Sequence, residues 1–383
     1  MKKSLIALAA LGAFAGAASA QSSVTLYGLI DLQYNYIKSG DASASRGDSI
    51  NRLADANDMG GPGSRWGLRV AEDLGSGLKA NVVLESGFTG DNGVSAQPAG
   101  ASTRLFGRQA FVSLASASLG EVRLGRQYTL HDEVQSLNNP GGNTTFMNPG
   151  ANGGYSTTGS LAAMGGRVPL FIDAVRQDNA VQYISPSFAG FRVQAMVAAG
   201  EGTADRYQGV KGSYANGPLN VALAYEQSKS FLGRAAGAGV GAIAAGGTTN
   251  KIVSLGANYD FGMVKVFGGY QQGKDLAPGV GIAGTLVVPA ANGLAGITST
   301  KLNAYTLGAA MPFGAATVSV NYTRAKHEND LGADRTVGRI GVGANYALSK
   351  LTSVYAVATV ANGDLKDVVL EKQVFQLGLR KAF

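Results

Sequence analysis

The sequence contains no cysteine and only 2 histidines among its 383 residues. Without cysteine, the chain can form no disulfide framework, no thiolate nucleophile and no cysteine-ligated metal site. His131 and His327 fall in different predicted loops, and the acidic residues that follow His131 favour a solvated polar cluster over a catalytic pair. Because a hydrolase needs a catalytic base or an activated nucleophile, we expect no enzymatic activity, and we identify no cofactor or metal site.

Long apolar runs are also missing after residue 20. No segment of residues 21–383 reaches the roughly 18 consecutive apolar residues of a membrane-spanning helix, which excludes helical spans. Residues 1–20 differ, because two lysines precede an apolar stretch from Leu5 to about Ala17, and Ala-Ser-Ala at 18–20 is typical of a cleavage site. We therefore expect residues 1–20 to be a cleaved signal peptide and residues 21–383 to form a single exported domain.

The charge of the chain is mildly basic and dispersed. The 32 basic and 25 acidic side chains give a formal net charge of +7, or +5 without Lys2 and Lys3. The absence of a clustered Lys/Arg run argues against a nucleic-acid-binding protein. Proline is scarce at 10 residues, whereas the chain holds 56 glycines, 15 tyrosines and 14 phenylalanines. A chain rich in glycine and aromatic residues, with no helical periodicity, indicates antiparallel β structure.

Apolar and polar residues alternate with a period of two in many segments. In the first, SSVTLYGLIDLQYNYI, the even positions from Val24 to Tyr36 are apolar or small, whereas the odd positions include Asp31. This run is longer than the roughly 5–6 residues of a typical soluble strand and suits a tilted membrane strand of about 9–11 residues. The same alternation recurs at 65–70, 81–85, 219–226, 253–259, 317–322, 339–346 and 375–383.

Alternation alone is also compatible with a half-buried sheet in a soluble sandwich. Two features favour a membrane barrel. The polar face carries Arg, Lys, Glu and Asn on strand after strand, as the wall of a water-filled lumen would, and Tyr and Phe lie near the strand ends, where aromatic girdles belong. A charge on the lipid face would cost about 2–4 kcal/mol at the midplane, which explains why the apolar face carries almost none.

The connections between these strands alternate in length. Short turns are predicted near 73–78, 115–120, 186–190, 215–219, 260–264, 312–316 and 346–352. Longer segments lie near 38–63, 87–102, 129–176, 200–205, 229–250, 273–300, 326–335 and 362–372. Sixteen strands with short turns at one end and long loops at the other indicate an all-β, transmembrane antiparallel barrel, wide enough for an aqueous channel. Closure requires the first and last strands to pair, which would bring Gln21 and Phe383 together.

Several of these segments resemble the general porins of beta-proteobacteria over nearly the whole mature length. The similar segments are SSVTLYGLIDLQYNY, SRWGLRVAEDLGSGLKA, FGRQAFVSL, GEVRLGRQYT, NAVQYISPSFAGF and the terminal FQLGLRKAF. The resemblance implies a multi-pass barrel in the cell outer membrane of a Gram-negative bacterium, forming a water-filled channel for passive diffusion of ions and small hydrophilic solutes. It also implies a homotrimer, lipid and lipopolysaccharide as neighbours, and a C-terminal assembly signal, Phe383, read by the barrel-assembly machinery.

In such a porin the third long loop, here 129–176, folds into the lumen and forms a constriction. The candidate constriction residues are Arg65, Arg69, Arg108, Arg123 and Arg126 on the wall and Asp132 and Glu133 on the loop, with Asp173 further along. Facing arginines and carboxylates would create a transverse field and a mild preference for anions. The alternation does not decide whether Arg126 faces the lumen or the lipid, because Gly125 allows a bulge.

Two alternatives stay open at this point. The arginines could be ordinary lumenal residues, paired with acids such as Glu72, Asp73 and Glu85. The channel could also be selective for one class of solute, such as organic acids, because the sequence of such a channel would look much the same. A purely structural barrel or adhesin is a further class, which single-channel recording would distinguish by the absence of a stable conductance.

Overall fold

The computed structural model describes residues 22–39, 49–56, 63–96, 98–99, 102–141, 170–172, 176–199, 206–229, 249–276, 301–328, 334–369 and 371–383. The predicted signal peptide lies outside these ranges. The strands are β1 (Ser23–Lys38), β2 (Ser49–Asp55), β3 (Arg65–Gly75), β4 (Leu78–Gly87), β5 (Pro98–Ala99), β6 (Ser102–Thr103), β7 (Gln109–Ser116), β8 (Gly120–Tyr128), β9 (Arg176–Ile184), β10 (Phe191–Ala198), β11 (Arg206–Asn216), β12 (Leu219–Lys229), β13 (Thr249–Asp260), β14 (Lys265–Lys274), β15 (Lys301–Phe313), β16 (Ala316–Glu328), β17 (Arg335–Ser349), β18 (Thr352–Gly363) and β19 (Gln373–Ala382).

Two short helices accompany the strands. Helix α1 (Leu130–Gln135) follows β8 and continues into a 3₁₀ turn at Ser136–Asn138, and helix α2 (Leu365–Val368) follows β18. In the described ranges, every helix is too short or too polar to cross a membrane. The sequence pattern did not predict either helix, because both lie in segments with no sustained period.

Antiparallel pairing closes the sheet into a barrel. Apart from the small β5–β6 hairpin, each strand from β3 to β19 pairs with the next strand of the wall, and β19 pairs with β1. Both β2 and β3 pair with β1, at residues 32–38 and 23–29 respectively, so together they occupy one position in the wall. The result is the predicted closed barrel of sixteen antiparallel strands.

The two faces of the wall differ as the alternation predicts. On β12, Leu223 is 52% exposed, whereas Glu226 is 2% exposed. On β1, Leu26 is exposed, and Asp31 and Gln33 are buried. In a membrane barrel the apolar side chains that water would reach are covered by lipid, and the polar face surrounds the lumen. Parity along a strand therefore assigns each side chain to lipid or lumen, and every site below is built on that assignment.

The predicted connections are confirmed at the short-turn end and corrected at the long-loop end, where His327 lies in β16 and not in a loop. All seven short turns join consecutive strands at the predicted places. The predicted loop 38–63, however, contains β2, which pairs with β1 from Lys38↔Ser49 to Leu32↔Asp55. The alternation did not identify β2 because two of its outward residues, Ser49 and Asn51, are polar. The hydroxyl of Tyr34 donates a hydrogen bond to Asn51 Oδ1 at 2.8 Å, so β1 itself supplies the polar partner.

The barrel closes at Phe383 and Gly28. The Gly28 N–H donates to the Phe383 carbonyl at 2.9 Å, and the Phe383 N–H donates to the Gly28 carbonyl at 3.0 Å. The predicted pairing of the first and last strands is therefore confirmed, although Gln21 lies outside the described residues and the partner of Phe383 is Gly28. The aromatic ring of Phe383 lies over Gly28, where a Cβ atom would overlap it.

Substitution of Gly28 by alanine is expected to destabilise the closed barrel by about 1–3 kcal/mol, because the added methyl group displaces the terminal ring. Gly212→Ala on β11 is the matched control, since a Cβ atom there meets no neighbour within 4 Å. The measurement is the unfolding midpoint of each refolded variant in detergent, read from the heat-dependent shift in gel mobility. Equal midpoints for the two variants would show that packing of the Phe383 ring on Gly28 does not stabilise the closed barrel.

Candidate functional site

A buried carboxylate, Glu85 of β4, organises one side of the lumen. The Arg108 Nε donates to Glu85 Oε1 at 2.6 Å, and the Tyr27 hydroxyl donates to Glu85 Oε2 at 2.8 Å. The Arg65 Nε lies 3.9 Å from the same Oε2. Glu85 and Arg108 are 4% and 5% exposed. A carboxylate removed from water in this way needs hydrogen bonds and opposite charge to offset its lost hydration, and these three residues provide them.

Arg69 of β3 completes this side of the lumen. Its guanidinium carbon lies 4.0 Å from the centre of the Tyr27 ring, a stacked cation–π arrangement. Unlike Arg108, Arg69 is exposed. Arg65, Arg69 and Arg108, here called the arginine wall, therefore converge on Tyr27 and Glu85. Ion pairing to Glu85, the alternative interpretation of the arginines, is correct for Arg65 and Arg108, and it leaves the guanidinium groups in excess over the carboxylate.

The described start of the third loop lies against the strands on another side of the barrel. Helix α1 packs on β11, β12 and β13, and the 3₁₀ turn that follows packs on β13 and β14. Residues 170–172 return to the same strands, where the Ile172 N–H donates to Gln271 Oε1 at 2.5 Å. All of these contacts involve the inward-facing residues of the strands. Asp173 and residues 142–169 lie outside the described residues.

Helix α1 is held by a buried polar cluster centred on Glu226. One carboxylate oxygen of Glu226 accepts the His131 N–H at 3.0 Å and the hydroxyl of Tyr207, and the other contacts His131 Nδ1. The Leu130 N–H donates to the Tyr207 hydroxyl at 3.3 Å. Next to this cluster, Lys211 Nζ donates to Glu133. The expectation of a solvated surrounding for His131 is wrong, because its side chain is buried and paired with a strand residue that lies 95 positions away.

Glycines on the inward face allow the loop to lie close to the wall. A Cβ atom on Gly256 would lie 2.5 Å from the Val134 carbonyl oxygen, and one on Gly269 would overlap the Asn138 amide. Such distances exclude any side chain at these positions without displacement of the loop. Inward-facing glycines on β13 and β14 are therefore a sequence signal for this contact, one that the alternation of apolar residues cannot reveal.

Asp132 and Glu133 extend from α1 in two directions. The Asp132 carboxylate interacts electrostatically with Arg108 of the arginine wall. Glu133 lines a cavity of about 340 Å³ together with Arg123, Glu121 and Arg192. In this cavity the Arg123 Nη2 donates to Glu121 Oε2 at 2.9 Å. The carboxylates of α1 are thus within electrostatic reach of Arg108 and beside the cavity that holds Arg123, while the direct ion-pair partner of Glu133 is Lys211.

Comparison with known proteins identifies the family. A model of the Gram-negative porin family matches residues 7–366. The chain belongs to this family. An outer membrane porin protein of Bordetella pertussis is 34% identical over 391 residues, covering 94% of each chain. Outer membrane porin protein 32 of Delftia acidovorans is 34% identical over 412 residues, covering 100% of each chain. The solved anion-selective porin from Comamonas acidovorans superposes with a TM-score of 0.67 at 28% identity, covering 95% of this chain and 100% of that one.

The predicted resemblance to beta-proteobacterial porins is therefore confirmed, together with the location. This porin is a channel protein of the Gram-negative outer membrane, and its sixteen strands form the channel wall. The long loops of such barrels face outward from the cell, and the short turns face the periplasm. The arginine wall and α1 accordingly lie on the inner surface of the channel.

Arg126 is not brought to the arginine wall of this porin. Gly125 has φ +131°, and the register of β8 with β9 shifts between Gly125 and Gln127, which is the bulge that the sequence allowed. Arg126 pairs with Ala110, on the parity of the lipid-facing residues of β7. Its Nη1 donates to Asp178 Oδ1 at 2.5 Å, and its Nε donates to the Gly107 carbonyl at 2.8 Å.

Four residues that hold the site together, Tyr27, Tyr207, Lys211 and Glu226, were not among the sequence candidates. Tyr27 contacts both Arg69 and Glu85. Glu226 accepts hydrogen bonds from His131 and Tyr207, and Lys211 donates a hydrogen bond to Glu133. Each lies on the inward parity of its strand, which the alternation shows. Parity places a side chain in the lumen, but it does not say which strand the loop will reach.

Proposed function

We propose that this porin is a passive, water-filled channel for ions and small hydrophilic solutes with a mild preference for anions. The observation that carries the proposal is the arginine wall. Two guanidinium groups, those of Arg65 and Arg108, share one carboxylate, Glu85, and Arg69 presents its charge to the lumen. Because guanidinium groups are weakly hydrated, they suit transient contact with passing anions.

The acidic residues of α1 supply the opposite pole. Asp132 interacts electrostatically with Arg108, and Glu133 shares a cavity with Arg123. Arginines on the wall and carboxylates on the loop create a transverse field where the channel narrows. In this proposal Arg65, Arg69, Arg108 and Arg123 form the basic side of the constriction. Arg126 contributes at most a distant charge, since it binds Asp178.

Substitution of Arg69 by glutamate is expected to lower the anion-to-cation permeability ratio by roughly 30-fold at low salt. The change amounts to two unit charges, which about 8 Å from an ion in water-like dielectric raise the energy of an anion by about 1 kcal/mol and lower that of a cation by the same amount. The measurement is the zero-current potential across a salt gradient in a planar bilayer. Lys350→Glu, in a short turn outside the lumen, is the charge-matched control. A wild-type potential that favours cations, or no change in Arg69→Glu, would contradict the proposal.

Selectivity for organic acids is the alternative function, and it can be tested with the same purified protein. Liposome swelling with sugars and with dicarboxylates separates the two functions. A general channel passes both classes at rates that follow solute size, whereas a selective channel passes dicarboxylates far faster than sugars of equal size. A stable conductance in the bilayer excludes a purely structural barrel, and the porin family consists of channels rather than enzymes.

The proposal includes maturation and partners. Residues 1–20 are removed on export, and residues 21–383 assemble as a homotrimer. The exposed ring of Phe383 at the barrel seam is the element recognised by the barrel-assembly machinery, which fits its position on the outward face. Lipids of the outer membrane, including lipopolysaccharide, surround the trimer. Sequencing of the mature N-terminus and the mass of the native complex test the first two statements.

A further inference from the structure

The cavity of about 340 Å³ beside Glu133 lies at the short-turn end of the barrel. Its lining includes residues 115–117, at the turn between β7 and β8, and residues 184–187, at the turn between β9 and β10. Because the short turns of such a barrel face the periplasm, this cavity belongs to the periplasmic mouth of the channel, and it is here called the periplasmic cavity. Binding sites for small molecules have volumes of about 300–1,000 Å³, so the periplasmic cavity suits a solute of the size of an amino acid or a dipeptide.

The charges that line the periplasmic cavity are balanced. Two arginines, Arg123 and Arg192, face two glutamates, Glu121 and Glu133. The arginine wall differs, because there three guanidinium groups surround a single carboxylate. A lining with no net charge offers little attraction to a simple anion. Its separate positive and negative groups can instead bind the two poles of one solute, since complementary charges determine which ligand is preferred.

Arg192 supplies a positive group that is available to a ligand. It lies on the inward parity of β10 together with Gln194, and its side chain is exposed. Its charge acts on the Glu121 carboxylate, but no described residue forms a hydrogen bond with its guanidinium group. An arginine that served only to balance Glu121 would be expected to form an ion pair with it. Arg192 therefore keeps its N–H donors, whose fork geometry matches a carboxylate.

The neighbouring donors are held in place by the wall. Gln194 is 7% exposed and lines the cavity. Gln182 Nε2 donates to Gln194 Oε1 at 3.1 Å, which leaves the amide nitrogen of Gln194 for a ligand. The Arg123 Nη2 donates to Glu121 Oε2 at 2.9 Å, and the guanidinium carbon of Arg123 lies 5.1 Å from the centre of the Phe111 ring. Groups that are already fixed lose little conformational entropy when a ligand binds.

Glu133 supplies the negative group from α1. Lys211 Nζ donates to its Oε2 atom, and its Oε1 atom accepts no hydrogen bond from the residues that the structure describes. The Glu133 side chain is 28% exposed, so this oxygen can accept a hydrogen bond from an ammonium group in the cavity. The available positive group thus lies on β10 and the available negative group on α1. A solute that contacts both must carry a carboxylate and an ammonium group.

We propose that the periplasmic cavity is a binding subsite for zwitterionic solutes of the amino-acid class. The inference rests on the proposed function, because the solute reaches the cavity through the channel. The carboxylate of the solute binds Arg192 and Gln194, its ammonium group binds Glu133, and an apolar side chain contacts Ile184 and Pro186. Passage of amino acids is therefore saturable, whereas inorganic anions pass the cavity without being held there.

Three probes with the same branched carbon skeleton test the proposal on the mature channel in a planar bilayer at neutral pH. Leucine carries both charges, 4-methylpentanoate only the carboxylate and 3-methylbutylamine only the ammonium group. The excess current noise caused by reversible binding gives the dissociation constant of each probe. Since leucine makes one more contact between charged groups, it is expected to bind the wild type roughly tenfold more tightly than either of the other probes. Arg192→Gln is expected to weaken leucine binding roughly tenfold and to leave the salt conductance unchanged.

Lys265→Gln is the matched control. Lys265 lies on the inward parity of β14 at the short-turn end, and it is not part of the cavity lining. The control therefore removes one positive charge from the same mouth of the channel, and it is expected to bind leucine as the wild type does. Arg192→Glu is expected to prefer 3-methylbutylamine to 4-methylpentanoate, a gain that misfolding cannot produce.

Four results overturn the proposal. The first is equal affinity of the wild type for leucine and 4-methylpentanoate, which indicates a simple anion site. The second is unchanged leucine binding in Arg192→Gln, the third is an equal loss in Lys265→Gln, and the fourth is a conducting channel in which no probe causes excess noise. Absence of salt conductance in the wild type would contradict the proposed channel function itself, so the two failures are distinguishable.

Discussion

Replacing Arg108 with alanine is expected to lower the free energy of unfolding of the barrel by about 3 kcal/mol. Arg108 donates the shortest hydrogen bond that Glu85 accepts and also donates to the Tyr128 hydroxyl at 2.8 Å. Its removal leaves the buried Glu85 carboxylate with Tyr27 and the more distant Arg65. Breaking a buried ion pair on one side costs more than the pair contributes, because the remaining charge stays away from water.

Chemical unfolding in detergent measures this effect through the fluorescence of Trp66, the single tryptophan, which lies on β3 next to Arg65. Arg69→Ala is the matched control, because Arg69 is exposed and its cation–π contact is worth about 0.5–1 kcal/mol. The double variant Arg108→Ala/Glu85→Gln is expected to recover most of the loss, since no unpaired charge remains. A loss in the double variant as large as in Arg108→Ala would show that packing, and not charge, holds this side of the lumen together.

Glu226→Ala is expected to release α1 from the wall and to make the open-channel current unsteady. The variant leaves three buried groups without their acceptor: the His131 N–H, the His131 ring and the Tyr207 hydroxyl. Each unsatisfied buried donor costs about 1–3 kcal/mol, so the local opening equilibrium is expected to shift by about 3 kcal/mol, roughly 100-fold in population. The barrel itself stays closed, because its strand pairing does not involve this side chain.

Two measurements check the release of α1. Hydrogen exchange of residues 130–135 is expected to accelerate by roughly 100-fold in Glu226→Ala, and single-channel recording is expected to show conductance fluctuations that the wild type lacks. Glu121→Ala is the control, since Glu121 is partly exposed and its ion-pair partner is Arg123 of the same strand. Wild-type exchange and a quiet current in Glu226→Ala would mean that packing of Leu130 and Val134, both fully buried, is enough to hold the helix.

The barrel could be predicted from the sequence because its constraints are local and repeated. In the wall of a membrane barrel, successive residues face lipid and water in turn, so Leu26 and Asp31 reveal their surroundings by type and parity alone. The short turns could be predicted for the same reason, since a tight turn between two antiparallel strands needs turn-forming residues at a fixed place. The missed strand β2 shows the limit of this reasoning, because Ser49 and Asn51 are polar on the outward face and Tyr34 of β1 supplies a hydrogen-bond partner for Asn51.

The candidate site was predicted as a set of residues but not as an arrangement. Parity placed Arg65 and Arg69 in the lumen, and a bulge at Gly125 directed Arg126 away from them. His131 was expected in a solvated cluster, whereas Glu226 buries it. Pairs separated by many residues, such as this one, depend on which strands face each other across the barrel. Nothing in the local pattern of either segment encodes that relation.

The barrel, its strand number, its two faces and the family could therefore be predicted without knowledge of the tertiary structure. They follow from the alternation of residues, which recurs on strand after strand, from the composition and from the segments that resemble known porins. The tertiary structure was needed to show that Tyr27 and Glu85 gather three arginines and that α1 is anchored on Glu226. Closure of the sheet brings residues from distant strands within reach of one another, and the charges and hydrogen bonds of the site exist only at that distance.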